Sequence, residues 1–157
     1  MRVIGIDPGY GRMGVAVVES VGGKDTLLYS DCVVTDKDKD FPERMGIMAK
    51  ACEKIINKWH PEGLSIEKLF FSGNQKTAMR VAEVRGMVIA LAVGRKLSVR
   101  EYSPQEVKIA VTGSGRASKT AVSDMVYKLI ELSHTPEHDD EYDAIAVAIT
   151  DIHSKRF

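Results

Sequence analysis

Hydrophobic and polar residues alternate in short runs at the start of the chain. Two runs rich in β-branched residues, 2–7 and 12–19, flank the glycine-rich segment DPGYG, which predicts two strands joined by a tight turn. A third run, 26–34, predicts another strand, and successive strands with short connections pair antiparallel. An aspartate and a proline therefore follow directly where a core strand ends. A carboxylate at the end of a core strand indicates that this turn has a functional role.

Further along, the pattern changes to alternating helices and strands. Apolar residues recur at helical spacing over 42–59 and predict an amphipathic helix. The segment LSIEKLF, 64–70, predicts a fourth strand, parallel to the first because a helix connects them. A second helix is predicted over 75–95, and LSVREY, 97–102, predicts a fifth strand.

The last part of the chain reads as helical. Ser118 can cap a third helix that runs to Leu132, and DAIAVAITDIH predicts a fourth. Three strands followed by alternating helices and strands is the order of an α/β protein with a mixed five-stranded sheet flanked by helices. The length of 157 residues predicts a single domain, 1–157.

Composition narrows the cellular setting. The two cysteines, Cys32 and Cys52, lie in apolar stretches without metal or redox spacing, so we expect buried free thiols, which suit a reducing cytoplasm. The sequence shows neither the pattern of a secretory leader nor an apolar run of membrane-spanning length. We therefore expect a cytoplasmic protein without membrane contact.

Charge is segregated along the chain although the net charge is zero. Residues 74–128 hold ten Lys and Arg residues against four Asp and Glu residues, an excess of six positive charges. Such a segment is either an ordinary solvated surface or a surface that binds nucleic acid.

Four acidic residues lie where the predicted elements meet. Asp7 ends the first strand, Glu67 lies on its predicted neighbour, and Asp140 and Asp143 share a helical face where the last helix begins. Each of them alone could cap a helix, close a turn or form a salt bridge. A cluster of carboxylates, however, repels itself unless a cation neutralises it, and oxygen ligands without a Cys or His set favour Mg²⁺ or Mn²⁺.

Four segments in register resemble the RuvC family of bacterial Holliday-junction resolvases: GIDPG, IEKLF, SPQEVKIAVTGSGRASK and DDEYDAIAVAIT. The similarity covers essentially the whole chain. It implies a ribonuclease H-like fold, a homodimer and Mg²⁺-dependent paired nicking of a four-way DNA junction. This is the activity of a crossover junction endodeoxyribonuclease in DNA recombination and repair. Two Mg²⁺ ions per active site are implied, with Mn²⁺ as a substitute.

The resemblance also assigns the catalytic residues. It makes Asp7, Glu67, Asp140 and Asp143 catalytic metal ligands. The acidic run before the last helix leaves an alternative, because Asp139 lies four residues before Asp143 on the same helical face. The family pattern, an acid three residues before the aspartate of DA, selects Asp140.

The resemblance assigns three residues to DNA. Lys108 and Lys119 lie near the scissile or adjacent phosphates, where an ammonium offsets developing charge. Phe70 lies beside the junction, where an aromatic ring can stack on or wedge between bases. Either lysine could instead be a solvated charge, and either Phe70 or Phe71 could belong to the core.

The second predicted helix carries a strip of small residues, namely Ala82, Gly86, Ala90 and Val93. A dimer seam and a buried core helix both explain this strip. A symmetric substrate that is cut on two strands requires two active sites, which favours the dimer. Whether a branch-migration motor complex of RuvA and RuvB is a partner stays open.

Two other functions are compatible with parts of the sequence. The segment RMGVAV also resembles YqgF-like RNA-processing nucleases of the same fold, although SPQEVK and DDEYDA favour the resolvase. A nucleotide-binding module that cradles a phosphate in the glycine-rich turn is the second alternative. That alternative lacks the second lobe of an actin-like ATP site.

Overall fold

The computed structural model describes residues 1–69 and 75–154 and shows strands and helices in mixed order. The strands are β1 Arg2–Asp7, β2 Arg12–Val21, β3 Lys24–Val34, β4 Gly63–Glu67, β5 Ser98–Tyr102 and β6 Glu131–Leu132. The helices are α1 Phe41–Trp59, α2 Gln75–Gly94, α3 Pro104–Thr112, α4 Lys119–Leu129 and α5 Asp139–Ser154.

The strands of the described residues form one mixed sheet in the order β5-β4-β1-β2-β3-β6. β1, β2 and β3 pair antiparallel, whereas β4 lies parallel to β1 and β5 parallel to β4. These pairings confirm the α/β order and the parallel fourth strand. β1 is therefore a central strand, and its carboxyl end lies beside that of β4.

The prediction of five strands was wrong, because the described sheet has six. The third predicted helix ends at Leu129 rather than Leu132, and Ile130 is already extended and buried. The next two residues form β6, which pairs with Thr26 and Leu27 of β3. The apolar side chain at 130 anchors this change of direction in the core.

Helix α3 was not predicted, although its sequence carries a strong start signal. Ser103 and Glu106 form a reciprocal capping box, and Pro104 occupies the first turn. Gly113 then ends the helix in the left-handed conformation. The short helix lies against α5 and α4 and brings its own side chains to the end of the sheet where β4 terminates.

The core has a layer on each face of the sheet. Helices α1 and α2 pack on one face, and α5 covers the other together with α3 and α4. Helix α5 is buried almost all round, and the run 144–149 is wholly inaccessible to solvent. Both cysteines are buried free thiols, as predicted. Among the described helices, none combines the length and apolar character that crossing a membrane requires.

Candidate active site

Asp7 and Glu67 meet because their strands are parallel neighbours. Ile6 of β1 lies opposite Ile66 of β4, and the next residue on each strand is the acid that ends it. Both side chains are partly buried. The sheet thus places two carboxylates at the same edge, as the sequence predicted.

Two glycines let α5 lie directly on the sheet above these acids. A Cβ atom at Gly5 would stand 2.1 Å from the carbonyl oxygen of Ala144, and one at Gly14 would stand 1.9 Å from that of Asp140. Gly14 is also the residue that pairs with Asp7 across β1 and β2. The first turn of α5 therefore lies on β2 next to the end of β1.

The four predicted acids come together and repel one another. Burial, followed by repulsion from Asp143, Glu67 and Asp140, raises the pKa of Asp7 to about 7. Burial and Asp143 likewise raise the pKa of Glu67 to about 7. Burial also raises the pKa of Asp143, against the opposing effect of Lys119. Burial and mutual repulsion therefore both disfavour the charged forms of Asp7 and Glu67.

The two predicted lysines lie beside these acids. Lys119 is the first residue of α4, whose N-cap is Ser118. Its Nζ lies 2.8 Å from Asp143 Oδ2. Lys108 lies on α3. Both Lys119 and Lys108 lower the pKa of Glu67 and so oppose the effect of burial on that pKa. An open pocket of about 200 Å³ is lined by Glu67, Pro104, Val107, Lys108, Lys119, Val122 and Asp143. Both lysines therefore lie where a phosphate could approach the acids.

The two candidate acids of the DDE run differ in their surroundings. Asp140 Oδ2 lies 2.8 Å from Arg12 Nη2 and 3.7 Å from the Sγ of Cys32. Asp140 also contributes to the repulsion on Asp7. Asp139 is exposed and lines a neighbouring pocket with Tyr127.

A third acid of that run has a structural position that sequence reasoning missed. Glu141 is 4% exposed, and its Oε1 accepts the backbone N–H groups of Glu137 and His138, both at 3.0 Å. The hydroxyl of Ser30 donates to its other oxygen and lies 2.9 Å from the Nε2 of His134. A Glu at the third helical position is the signal that could have revealed this contact.

The donor set fits a hard divalent cation, since it consists of carboxylate oxygens whose mutual repulsion a cation relieves. Within residues 1–69 and 75–154, however, no three Asp, Glu, His or Cys side chains stand together as a ligand set in their present orientations. Two of the acids are instead engaged by cations of the chain, Asp140 by Arg12 and Asp143 by Lys119. Phe70 and its alternative Phe71 lie outside the described residues.

Comparisons with known proteins agree on one family. The family model described as crossover junction endodeoxyribonuclease RuvC matches residues 3–151. The crossover junction endodeoxyribonuclease RuvC of Caldanaerobacter subterraneus is 43% identical over 98% of this chain and 93% of its own length. That of Fusobacterium nucleatum is 38% identical over 98% of this chain and 81% of its own.

Solved structures give the same result. Thermus thermophilus RuvC in complex with a Holliday junction substrate matches with a TM-score of 0.93 and 32% identity, over 99% of this chain and 95% of that one. This match confirms the ribonuclease H-like α/β fold, and the comparisons favour a resolvase over the YqgF-like alternative. The similarity spans the acids, the lysines and the strands that position them, and the chain belongs to the crossover junction endodeoxyribonuclease RuvC family.

Proposed function

We propose that this protein resolves four-way (Holliday) DNA junctions by paired, symmetric phosphodiester hydrolysis during recombination and repair. The observation that carries the proposal is the convergence of the acids at the ends of β1 and β4 with the start of α5, in a member of this endonuclease family. The chain acts as one nuclease domain, 1–157. The junction complex of its Thermus relative supports the choice of substrate.

Membership of the RuvC family implies dependence on a divalent metal. We assign Asp7, Glu67, Asp140 and Asp143 as the ligands of Mg²⁺, two ions per site, with Mn²⁺ as a substitute. When bound, such ions activate a water and stabilise the leaving oxygen of a phosphodiester. The raised pKa values of Asp7 and Glu67 support this assignment, since burial and neighbouring carboxylates disfavour their charged forms and a bound cation would oppose both effects.

The lysines act on the substrate rather than on the metal. We assign Lys119 and Lys108 to the scissile or adjacent phosphates, where an ammonium stabilises negative charge as it develops. Lys119 must exchange Asp143 for a phosphate to do so, and its exposed side chain allows this movement. Phe70 keeps its proposed place beside the bases of the junction.

A homodimer through α2 would supply the second active site. Ala82, Gly86, Ala90 and Val93 are all exposed in the single chain, which argues against a helix that is core on every face. A Cβ at Gly86 would meet nothing within 4 Å. Such a strip allows close approach of a second helix.

The dimer is tested by sedimentation of Gly86→Leu at micromolar concentration. We expect this variant to be a folded monomer, because the added side chain fills space that only the partner uses. Gly46→Leu on α1 is the matched control, since a Cβ there also meets nothing within 4 Å. A dimeric Gly86→Leu variant would exclude this seam.

The proposal extends to the cellular location of the protein and to a partner complex. The buried free thiols of Cys32 and Cys52 suit a reducing compartment, which supports a cytoplasmic location. A branch-migration motor complex of RuvA and RuvB is a candidate partner. Adding that complex to junction assays would reveal whether it changes the rate or position of cleavage.

The deciding experiment is incubation of the purified protein with a synthetic four-way junction, a linear duplex and a single-stranded RNA. Each substrate is tested with Mg²⁺ and with EDTA. We expect symmetric nicks in the junction only, and only with the metal. Cleavage of the RNA, or equal cleavage of the linear duplex, would contradict the proposal.

A further inference from the structure

Arg12 is a charged residue that lies beside the proposed metal ligands and has no part in the proposed function. It begins β2, two residues before Gly14, and its Nη2 lies 2.8 Å from Asp140 Oδ2. The side chain of Arg12 is 55% exposed, whereas that of Asp140 is 18% exposed. The arginine therefore covers a carboxylate of the site from the solvent side.

The sheet holds this pair in place. Gly14 pairs with Asp7 on one side and with Cys32 on the other, so these three residues form one row across β1, β2 and β3. Asp140 lies on the glycine of that row, and the oxygen that meets Arg12 also meets the Cys32 thiol. The backbone thus fixes Asp140, while the long arginine side chain is free to swing away.

We propose that Arg12 competes with the divalent cation for Asp140 and holds this ligand in reserve until metal binds. The inference rests on the assignment of Asp140 as a metal ligand. A carboxylate oxygen that is paired with a guanidinium must lose that contact before it can coordinate a metal. The free energy of the ion pair is therefore subtracted from the free energy of metal binding. In the metal-free protein, the same contact offsets the negative charge of the Asp140 carboxylate.

The competition has two effects of opposite sign. Without Arg12, the metal-free protein loses a favourable charge pair and should melt at a lower temperature. Metal, by contrast, no longer has to displace the guanidinium and should bind more tightly. A charge pair of this exposure corresponds to about a 2- to 5-fold change in affinity.

The test is a calorimetric titration of Mn²⁺ into the full-length protein, without DNA, alongside thermal melts in EDTA. Arg12→Gln should bind Mn²⁺ about 2- to 5-fold more tightly and melt at a lower temperature in EDTA. Arg12→Lys, which keeps the charge, should lie between Arg12→Gln and wild type.

Arg44→Gln is the matched control, because it removes the same charge next to the same turn. Arg44 Nη2 would lie 3.4 Å from a Cβ at Gly11, yet Arg44 Nε donates to the Thr35 hydroxyl at 2.9 Å rather than to a carboxylate. We expect its affinity for Mn²⁺ to equal that of wild type. An equal gain in Arg44→Gln and Arg12→Gln would reduce the effect to general electrostatics and overturn the inference.

Asp140→Asn separates failure of the inference from failure of the proposed function. If Asp140→Asn loses Mn²⁺ binding but Arg12→Gln binds as wild type does, the competition is refuted and the ligand assignment stands. If Asp140→Asn binds Mn²⁺ as tightly as wild type, the ligand assignment is refuted, and the inference fails with it.

Discussion

Replacing Asp7 with asparagine should make the metal-free protein more stable at pH 8 while it abolishes cleavage. Asp7 lies at the end of a central strand, where burial and three neighbouring carboxylates raise its pKa from 3.8 to about 7. In the unfolded chain this carboxyl ionises near its ordinary pKa. Between pH 4 and pH 7 the native state therefore binds more protons than the unfolded state, so its stability falls as the pH rises.

The magnitude follows from the two pKa values. A rise from 3.8 to about 7 corresponds to roughly 4 kcal/mol at pH 8, since each pH unit between the two values contributes about 1.4 kcal/mol. The amide that replaces the carboxyl is still polar and partly buried, which reduces the gain to about 2–4 kcal/mol. Well below pH 3.8 the carboxyl is protonated in both states, and the gain should disappear.

The assay is urea denaturation in EDTA at pH 4.5 and pH 8, with wild type, Asp7→Asn and the control Asp38→Asn, whose carboxyl is exposed. We expect the variant to gain stability at pH 8 and little at pH 4.5, while the control follows wild type. Mg²⁺ should stabilise wild type more than the variant, because metal binds the native state. An Asp7→Asn variant that is less stable than wild type at pH 8 would refute the reasoning.

Three further predictions test the geometry of the site. Asp140→Asn should abolish cleavage and leave junction binding intact, whereas Asp139→Asn should cut as wild type does in the same nicking assay. The reverse result would mean that Asp139, and not Asp140, is the metal ligand. Lys119→Ala should lower the rate of cleavage by about 10²-fold and weaken junction binding far less, and equal losses in single-turnover rate and in affinity would mean simple electrostatic attraction. Gly14→Ala should cost about 3 kcal/mol or more in urea denaturation, because its Cβ would stand 1.9 Å from the Asp140 carbonyl oxygen, and a cost no larger than that of Gly46→Ala would exclude this clash.

The sequence predicted the central part of the fold because local patterns determine it. The tight turn after β1 and the β-branched runs around it specify an antiparallel pair, and a helix between two strands makes the fourth strand parallel to the first. That topology alone placed Asp7 and Glu67 at one edge of the sheet. The predicted acids at the start of α5 joined them because the helix had to cover β1.

Other features depended on contacts that no local pattern carries. The two residues of β6 are too few to show a strand period, and they adopt strand geometry because β3 offers an open edge. The contact of Arg12 with Asp140 joins residues 128 positions apart and forms only when α5 lies on β2. Helix α3 is different, because the segment SPQE carries a capping box, which is a local signal for the start of a helix.

The glycines around the first turn explain how an acid can end a core strand. At each of these glycines a backbone carbonyl oxygen lies where a side chain would otherwise begin. A Cβ atom would stand 1.9–2.1 Å from that oxygen, which belongs to Ala144 at Gly5, to Arg12 at Gly9 and to Asp140 at Gly14. The helix and the turn therefore close around Asp7 with backbone rather than with side chains. Close packing of this kind removes water from the carboxylate and raises its pKa. The same glycines that fold the site therefore bury a carboxylate whose charged form a bound cation would stabilise.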